Sequence, residues 1–218
     1  MEYGPLEIKV WGDLACFTRP EMKVERVSYP VITPSAARGL LEAIFWKPEF
    51  AWQIREIRLL KPIRYFSILR NEVNHTASHR SAQDWQKSGG GYFADEKQNR
   101  AQRHTLALRD VAYVITADQV LKSHANADPA KYRDQFRRRV TRGQYHHPPY
   151  LGCREFAAMF GNPDLSDRYL PINMDLGLML FDLDYEHDKK GRGIRGKPRF
   201  FQARFQNGVM YIDPNLYC

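Results

Sequence analysis

Residues 33–48 read TPSAARGLLEAIFWKP, and the fold is read outward from them. Thr33 suits a helix N-cap, and Pro34 suits the first helical position, where its missing N–H would have no intrahelical partner. Ala37, Leu40, Leu41 and Ile44 recur at helical spacing and form one apolar stripe. Pro48 disfavours the helical conformation at the residue before it, so the spacing predicts a helix from Pro34 to near Lys47. Upstream, residues 6–11 (LEIKVW) alternate apolar and charged positions, the pattern of a half-buried strand. A polar, proline-bearing connection runs from Asp13 to Pro30. Downstream, Ile54, Ile57 and Leu59 interleave with Arg55, Glu56 and Arg58 as a second strand, and residues 63–69 (IRYFSIL) give a third extended segment.

The stretch from Asn71 to Arg103 is polar and carries Gly89-Gly90-Gly91, which predicts a long flexible excursion. Arg70, His75, His79, Arg80, Lys87, Lys97, Arg100 and Arg103 make it either a nucleic-acid contact or a solvated loop, and Tyr92 and Phe93 could stack on a base or anchor the loop. Leu106–Thr116 (LALRDVAYVIT) is a strong strand. Asp128-Pro129 then opens a second helix that ends at Arg142-Gly143, with Tyr132, Phe136 and Val140 as its narrow apolar face. Residues 151–160 return as a strand. This order predicts an α+β fold, a ferredoxin-like (RRM-like) βαββαβ domain over residues 1–162. A small antiparallel β domain is expected over 163–218, with strands at Met174–Asp184, Arg199–Gln206 and Val209–Ile212. Asn207-Gly208 supplies a hairpin turn between the last two.

The 218 residues include 33 Lys and Arg against 25 Asp and Glu, a net charge of +8. Such an excess suits a polyanionic partner, because neutralising phosphates releases counterions. The charge is clustered: Lys131, Arg133, Arg137, Arg138, Arg139 and Arg142 face a single acid, Asp134, and a second basic run holds Lys189, Lys190, Arg192, Arg195, Lys197 and Arg199. No apolar run reaches the ~20 residues of a membrane helix and no leader is visible, so a cytoplasmic protein is expected. Cys16, Cys153 and Cys218 stand far apart in sequence with no CxxC, which argues against a disulfide framework or zinc ribbon. Walker, GxSxG and HExxH motifs are absent. Asp182, Asp184, Glu186 and Asp188 alternate, as a solvated strand edge or a divalent-ion site would.

WGDLACF at 11–17, VSYPVITPSAARGLLEAIFWKP at 27–48, Leu106–Tyr113, LGCREF at 151–156, DLGLMLFD at 175–182 and Asn207-Gly208-Val209 together resemble the Cas-five family of CRISPR-associated proteins, d-type. The resemblance implies a type I-C endoribonuclease that needs no metal or other cofactor. Such an enzyme cuts CRISPR repeat RNA at the base of its stem-loop and keeps the guide as a subunit of a surveillance complex with Cas-seven and Cas-eight type proteins. The alternative it leaves open is a non-catalytic subunit that caps the 5′ handle of the guide and aids recognition of double-stranded DNA.

Cleavage through the neighbouring 2′-OH needs a proton acceptor, a cation for the phosphorane charge and a donor for the departing 5′-oxygen. Family members place a Tyr and a Lys-His pair at positions matched here by Phe45, Lys131 and Tyr132. Phe45 has no proton to exchange. Tyr132, of a residue type ionising near ~10, orients a 2′-OH better than it deprotonates one. The catalytic candidates are therefore Lys131 as cation and proton donor, Tyr132, and the tandem His146 and His147 just past the basic helix, beside Tyr145. The RNA-binding candidates are Arg38 and Lys47, flanking the first helix, with Arg133, Arg137, Arg138, Arg139 and Arg142.

Overall fold

In a computed structural model, residues 3–22, 24–94, 99–187 and 193–217 are described. Lys97, Asp188, Lys189, Lys190, Arg192 and Cys218 lie outside them, as does the side chain of Arg195. The core is the expected βαββαβ unit. Strand β1 (Leu6–Ala15), helix α1 (Pro34–Ile44), strands β3 (Phe50–Leu59) and β5 (Arg100–Leu121), helix α3 (Pro129–Thr141) and strand β6 (Met159–Gly161) build a sheet of order β6-β1-β5-β3. That is the 4-1-3-2 order of a ferredoxin-like fold, and the core pairs are antiparallel.

Helix α1 starts as its sequence dictates: the Thr33 hydroxyl accepts from the Ala36 N–H at 3.2 Å, with Pro34 next. Ala37, Leu40, Leu41 and Ile44 are all buried, and the two leucines and the isoleucine each stabilise by about 1.5–3 kcal/mol. The helix ends at Ile44, three residues before the expected stop, because Phe45 turns extended to bury its ring.

Other boundaries differ for tertiary reasons. The polar connection contains a two-residue strand, β2 (Arg26–Val27), pairing in parallel with β5. The third segment is strand β4 (Tyr65–Val73), which pairs with the first half of β5 as an arm rather than with the core strands. Strand β5 is twice the expected length because it changes partners: residues 100–108 pair with β4 and 113–121 with β3. The bend falls at Asp110, whose φ of 54° breaks the pleat. The excursion is not a flexible loop throughout. Between the arm strands sits α2 (His79–Ser88), capped by the Ser78 hydroxyl at 3.0 Å, and Gly89 at φ 74° closes it by donating to the Trp85 carbonyl. The glycine run is a helix stop.

Strands β7 (Met174–His187) and β8 (Gly193–Phe205) form a separate two-stranded antiparallel sheet that packs on the far side of α1. Met179, Phe181, Ala203 and Phe205 from it join the same buried core as β1, β3 and β5. The last strand, β9 (Val209–Tyr211), leaves that hairpin after the Asn207-Gly208 turn and pairs with β3, so backbone pairing crosses the boundary at 162/163. Tyr217, in a terminal 3-10 turn, locks this return: the Ile54 N–H donates to its hydroxyl at 2.7 Å. Residues 151–160 shorten to the three-residue β6, because Leu151–Phe156 coils into a loop closed by the Phe156 N–H on the Cys153 carbonyl.

Candidate functional site

The three positions singled out by resemblance do converge. Phe45 and Tyr132 flank the Phe50 ring at 5.4 and 5.5 Å, and Lys131 is next to Tyr132 in the first turn of α3. They converge as a core, however. Phe45 is 1% exposed and Tyr132 5%, and burial followed by the Glu49 carboxylate raises the Tyr132 phenol above its usual range. Lys131 alone stands in solvent.

The basic candidates divide in the same way. Arg38 is not free for RNA: it reaches Glu42 at 2.8 Å and Asp182 of β7 at 2.7 Å, clamping α1 to the second sheet. Burial would lower its pKa, and the two carboxylates more than reverse that. Arg133 is buried, donates to the Gly4 carbonyl and lies 5.4 Å from the Tyr3 ring centre. Its pKa is lowered by burial and by Arg137. Arg139 donates to the Ile44 carbonyl at 2.5 Å and covers the Phe45 ring at 5.2 Å, so it caps the last turn of α1. Arg137 is exposed with Asp134 at 3.5 Å, while Arg138, Arg142 and Lys47 are exposed. Lys131, Arg138 and Arg142 are spaced i, i+7 and i+11, which aligns them along one face of α3.

The tandem histidines hang from the end of α1. Both backbone N–H groups donate to the Ala43 carbonyl, at 2.9 and 3.0 Å, so an otherwise orphaned helix carbonyl fixes the loop. Both side chains are exposed, their ring centres 4.2 Å apart. They line an open cleft of about 900 Å³ with Glu42, Trp46, Tyr150 and Arg154. Trp46 is 53% exposed there, an uncommon placement for indole.

Lys131 and the histidines do not share this cleft. The Ala43 carbonyl holds the histidine loop, and the next carbonyl, Ile44, meets α3 at Arg139, about 12 Å along the helix axis from Lys131 at 1.5 Å per residue. Near Lys131 lies a histidine the sequence reading missed: His124 bonds the Pro48 carbonyl at 3.2 Å, in the Lys47–Phe50 turn against which Tyr132 packs. Its only sequence signal was its place in a polar link before Asp128. Arg154, in the LGCREF loop, was also missed. Of the alternating acids, the three described are each taken by a cation: Asp182 by Arg38, Asp184 by Arg199 at 3.4 Å and Glu186 by Lys197 at 2.6 Å.

A sheet of 4-1-3-2 order, a helix bearing a cation row and a histidine-lined cleft at its end define a basic ferredoxin-like protein with the layout of RRM-type modules. The family model described as CRISPR-associated protein (Cas_Cas5), in its Cas5d form, matches residues 5–213, and the chain belongs to that family. The CRISPR pre-crRNA endoribonuclease Cas5d of Thermus thermophilus is 47% identical over 224 residues, 97% of this chain and 93% of that protein. The protein of the same name from Mannheimia succiniciproducens is 45% identical over 221 residues, covering 96% and 95%. Among solved structures, a CRISPR-associated protein superposes with a TM-score of 0.66 at 22% identity, covering 98% of this chain and 94% of that one. A functionally uncharacterised protein from Streptococcus mutans gives 0.65 at 19% over the same shares. These two likenesses concern the fold. Among the described residues no helix is long and apolar enough to cross a membrane.

Proposed function

We propose that this chain cleaves CRISPR repeat transcripts at the base of their stem-loop and stays on the guide RNA, beside Cas-seven and Cas-eight type subunits of a type I-C complex. The observation that carries the reading is that two relatives, 45–47% identical over nearly their whole length, are named CRISPR pre-crRNA endoribonuclease. The cut is a metal-independent transesterification in the histidine cleft. One imidazole of His146 and His147 takes the 2′-OH proton as that oxygen attacks phosphorus. The other, protonated, delivers a proton to the departing 5′-oxygen, leaving a 2′,3′-cyclic phosphate and a 5′-hydroxyl. Arg154 supplies the fixed cation for the developing charge, and Trp46 offers a face on which an unpaired base can stack. Lys131, Arg138 and Arg142 hold the strand along α3.

A second placement of the cut rests on His124, which brings an imidazole to the Lys47–Lys131 end of α3. Labelled repeat RNA incubated in EDTA, beside a copy with 2′-deoxyribose at the cut, tests both. Cleavage of the normal RNA alone is expected, with His146→Ala or His147→Ala lowering the rate by about 10²–10⁴ at unchanged affinity. Loss of cleavage in Lys131→Ala and His124→Ala, but not in the tandem-histidine variants, moves the cut to the other end of α3. Tight binding with no cleavage of either RNA refutes the nuclease and leaves a guide-capping subunit.

A further inference from the structure

Cys16 and Cys153, 137 residues apart, are neighbours in the fold. The Cys16 N–H donates to the Leu151 carbonyl at 3.0 Å. At Gly152 (φ +85°) any Cβ would overlap the Cys16 carbonyl oxygen, so the backbone of 151–153 runs directly against the end of β1. The Cys153 sulfur lies 3.5 Å from the Cys16 carbonyl oxygen, and the Thr18 hydroxyl touches both sulfurs, 3.5 Å from Cys16 and 3.8 Å from Cys153. Arg26 of β2 places a guanidinium nitrogen 3.6 Å from the Cys153 sulfur. Cys16 is wholly buried and Cys153 partly exposed. A cavity of about 380 Å³, lined by Phe17, Thr18, Tyr150, Gly152 and one face of α1, reaches the chain neighbours of both cysteines.

We propose that Cys153 and Cys16 form a peroxide-reactive thiol pair, Cys153 attacking and Cys16 resolving. The Cys153 thiolate attacks one oxygen of hydrogen peroxide. An S–O bond forms, the O–O bond breaks, and the leaving hydroxide takes a proton to become water. Sulfur is oxidised by two electrons to the sulfenic acid and peroxide is reduced. The Cys16 sulfur then displaces the hydroxyl from Cys153. An S–S bond forms as S–O breaks, and the Cys16 proton leaves with the hydroxide as a second water. A dithiol reductant reverses the link by exchange.

The surroundings suit this division of labour. Cys16 is pushed up by its contact with the Cys153 thiol and by burial, so it keeps its proton until needed. Cys153 is lowered, first by Cys16 and then, against burial and the Glu155 carboxylate, by Thr18 and Arg26. The charged groups facing it are Arg26, Glu155 at 2.6 Å from Arg26, and the Arg70–Glu72 pair of β4, so the local field is a partly neutralised guanidinium.

Peptide mapping of the full chain tests the pair, in a Cys218→Ser background that removes the third thiol. After stoichiometric peroxide and alkylation, a Cys16–Cys153 linked peptide is expected, and a dithiol reductant abolishes it. Before oxidation, iodoacetamide labels Cys153 with a pH midpoint below that of an ordinary thiol and leaves the buried Cys16 unlabelled until the chain is unfolded. Cys16→Ser should stop at a sulfenic acid on Cys153 that dimedone captures. Should that variant not fold, the linked peptide of the parent chain decides alone. Two free thiols after peroxide, or a Cys153 midpoint in the ordinary thiol range of about 8.5, overturns the proposal.

Discussion

Replacing Lys131, Arg138 and Arg142 together by glutamine removes a row of three exposed cations that spans about 16 Å of α3 at 1.5 Å per residue. Each phosphate they neutralise releases counterions worth a slope of about 0.7 (single strand) to about 0.9 (duplex) in log K against log salt. Three contacts therefore account for a slope of about 2 to 2.7. At about 0.1 M salt this converts to about 0.7–0.9 log units each, or about 100- to 500-fold in affinity for the triple variant. Fluorescence anisotropy of labelled repeat RNA, from about 50 to about 400 mM KCl, reads both numbers. The comparison is Arg139→Gln, whose guanidinium is engaged with the Ile44 carbonyl and the Phe45 ring. It should leave the slope unchanged and instead lower folding stability by about 1–3 kcal/mol, the cost of an orphaned helix carbonyl and a lost cation–π contact. A triple variant with the parental slope, or an Arg139 variant losing as much slope as one member of the row, refutes the division of the cluster.

Two glycines at positive φ should respond differently to alanine. At Gly208 (φ +80°) a Cβ would overlap the Leu170 carbonyl, so Gly208→Ala should cost about 3 kcal/mol or more, whereas Gly143→Ala (φ +63°, open space) should cost only about 1–2. Urea unfolding midpoints compare them. At Asp110, the hydrogen bond from Lys61 at 2.5 Å, against slight desolvation and aided by the Lys61 and Arg64 charges, holds the carboxyl below the usual range. A carboxyl depressed in the folded state stabilises above its unfolded pKa of about 3.9, and that contribution is lost as pH falls through the native value. Lys61→Gln should therefore be less stable than the parent at neutral pH. The two should converge in acid, as unfolding titrated from about pH 6 to about pH 2 would show.

What was legible in the sequence was what neighbours along the chain decide. Thr33, Pro34 and the stripe from Ala37 to Ile44 specify α1 locally, and Asp128-Pro129 does the same for α3. Helix α2 carries no buried residue, so it offered no apolar period to read. Only its caps, Ser78 and Gly89, marked it. Strand β5 was read short because its first residues, 100–104, pair with an arm where none of them is buried and carry no apolar alternation to read. The cleft was half legible. The histidine doublet was visible as chemistry, but its anchor on the Ala43 carbonyl and its separation from Lys131 are tertiary facts.

The division of the arginine cluster was nevertheless latent in the helical period. At about 100° per residue, Tyr132, Phe136 and Val140 cover an arc of only about 80° on α3. That is too narrow to seat a thirteen-residue helix on a sheet. Arg139 falls about 20° outside one edge of the arc and Arg133 about 20° outside the other, so their stems must widen the buried face. Buried guanidinium groups require acceptors, and the nearest elements present carbonyls, Gly4 on one flank and Ile44 on the other. Lys131, Arg138 and Arg142 fall about 80–120° from Tyr132 on the side away from Val140, clear of the sheet. A count of charges treats these five cations, with Arg137, as one patch. Their phase relative to the apolar stripe separates two that build the fold from three left exposed to solvent.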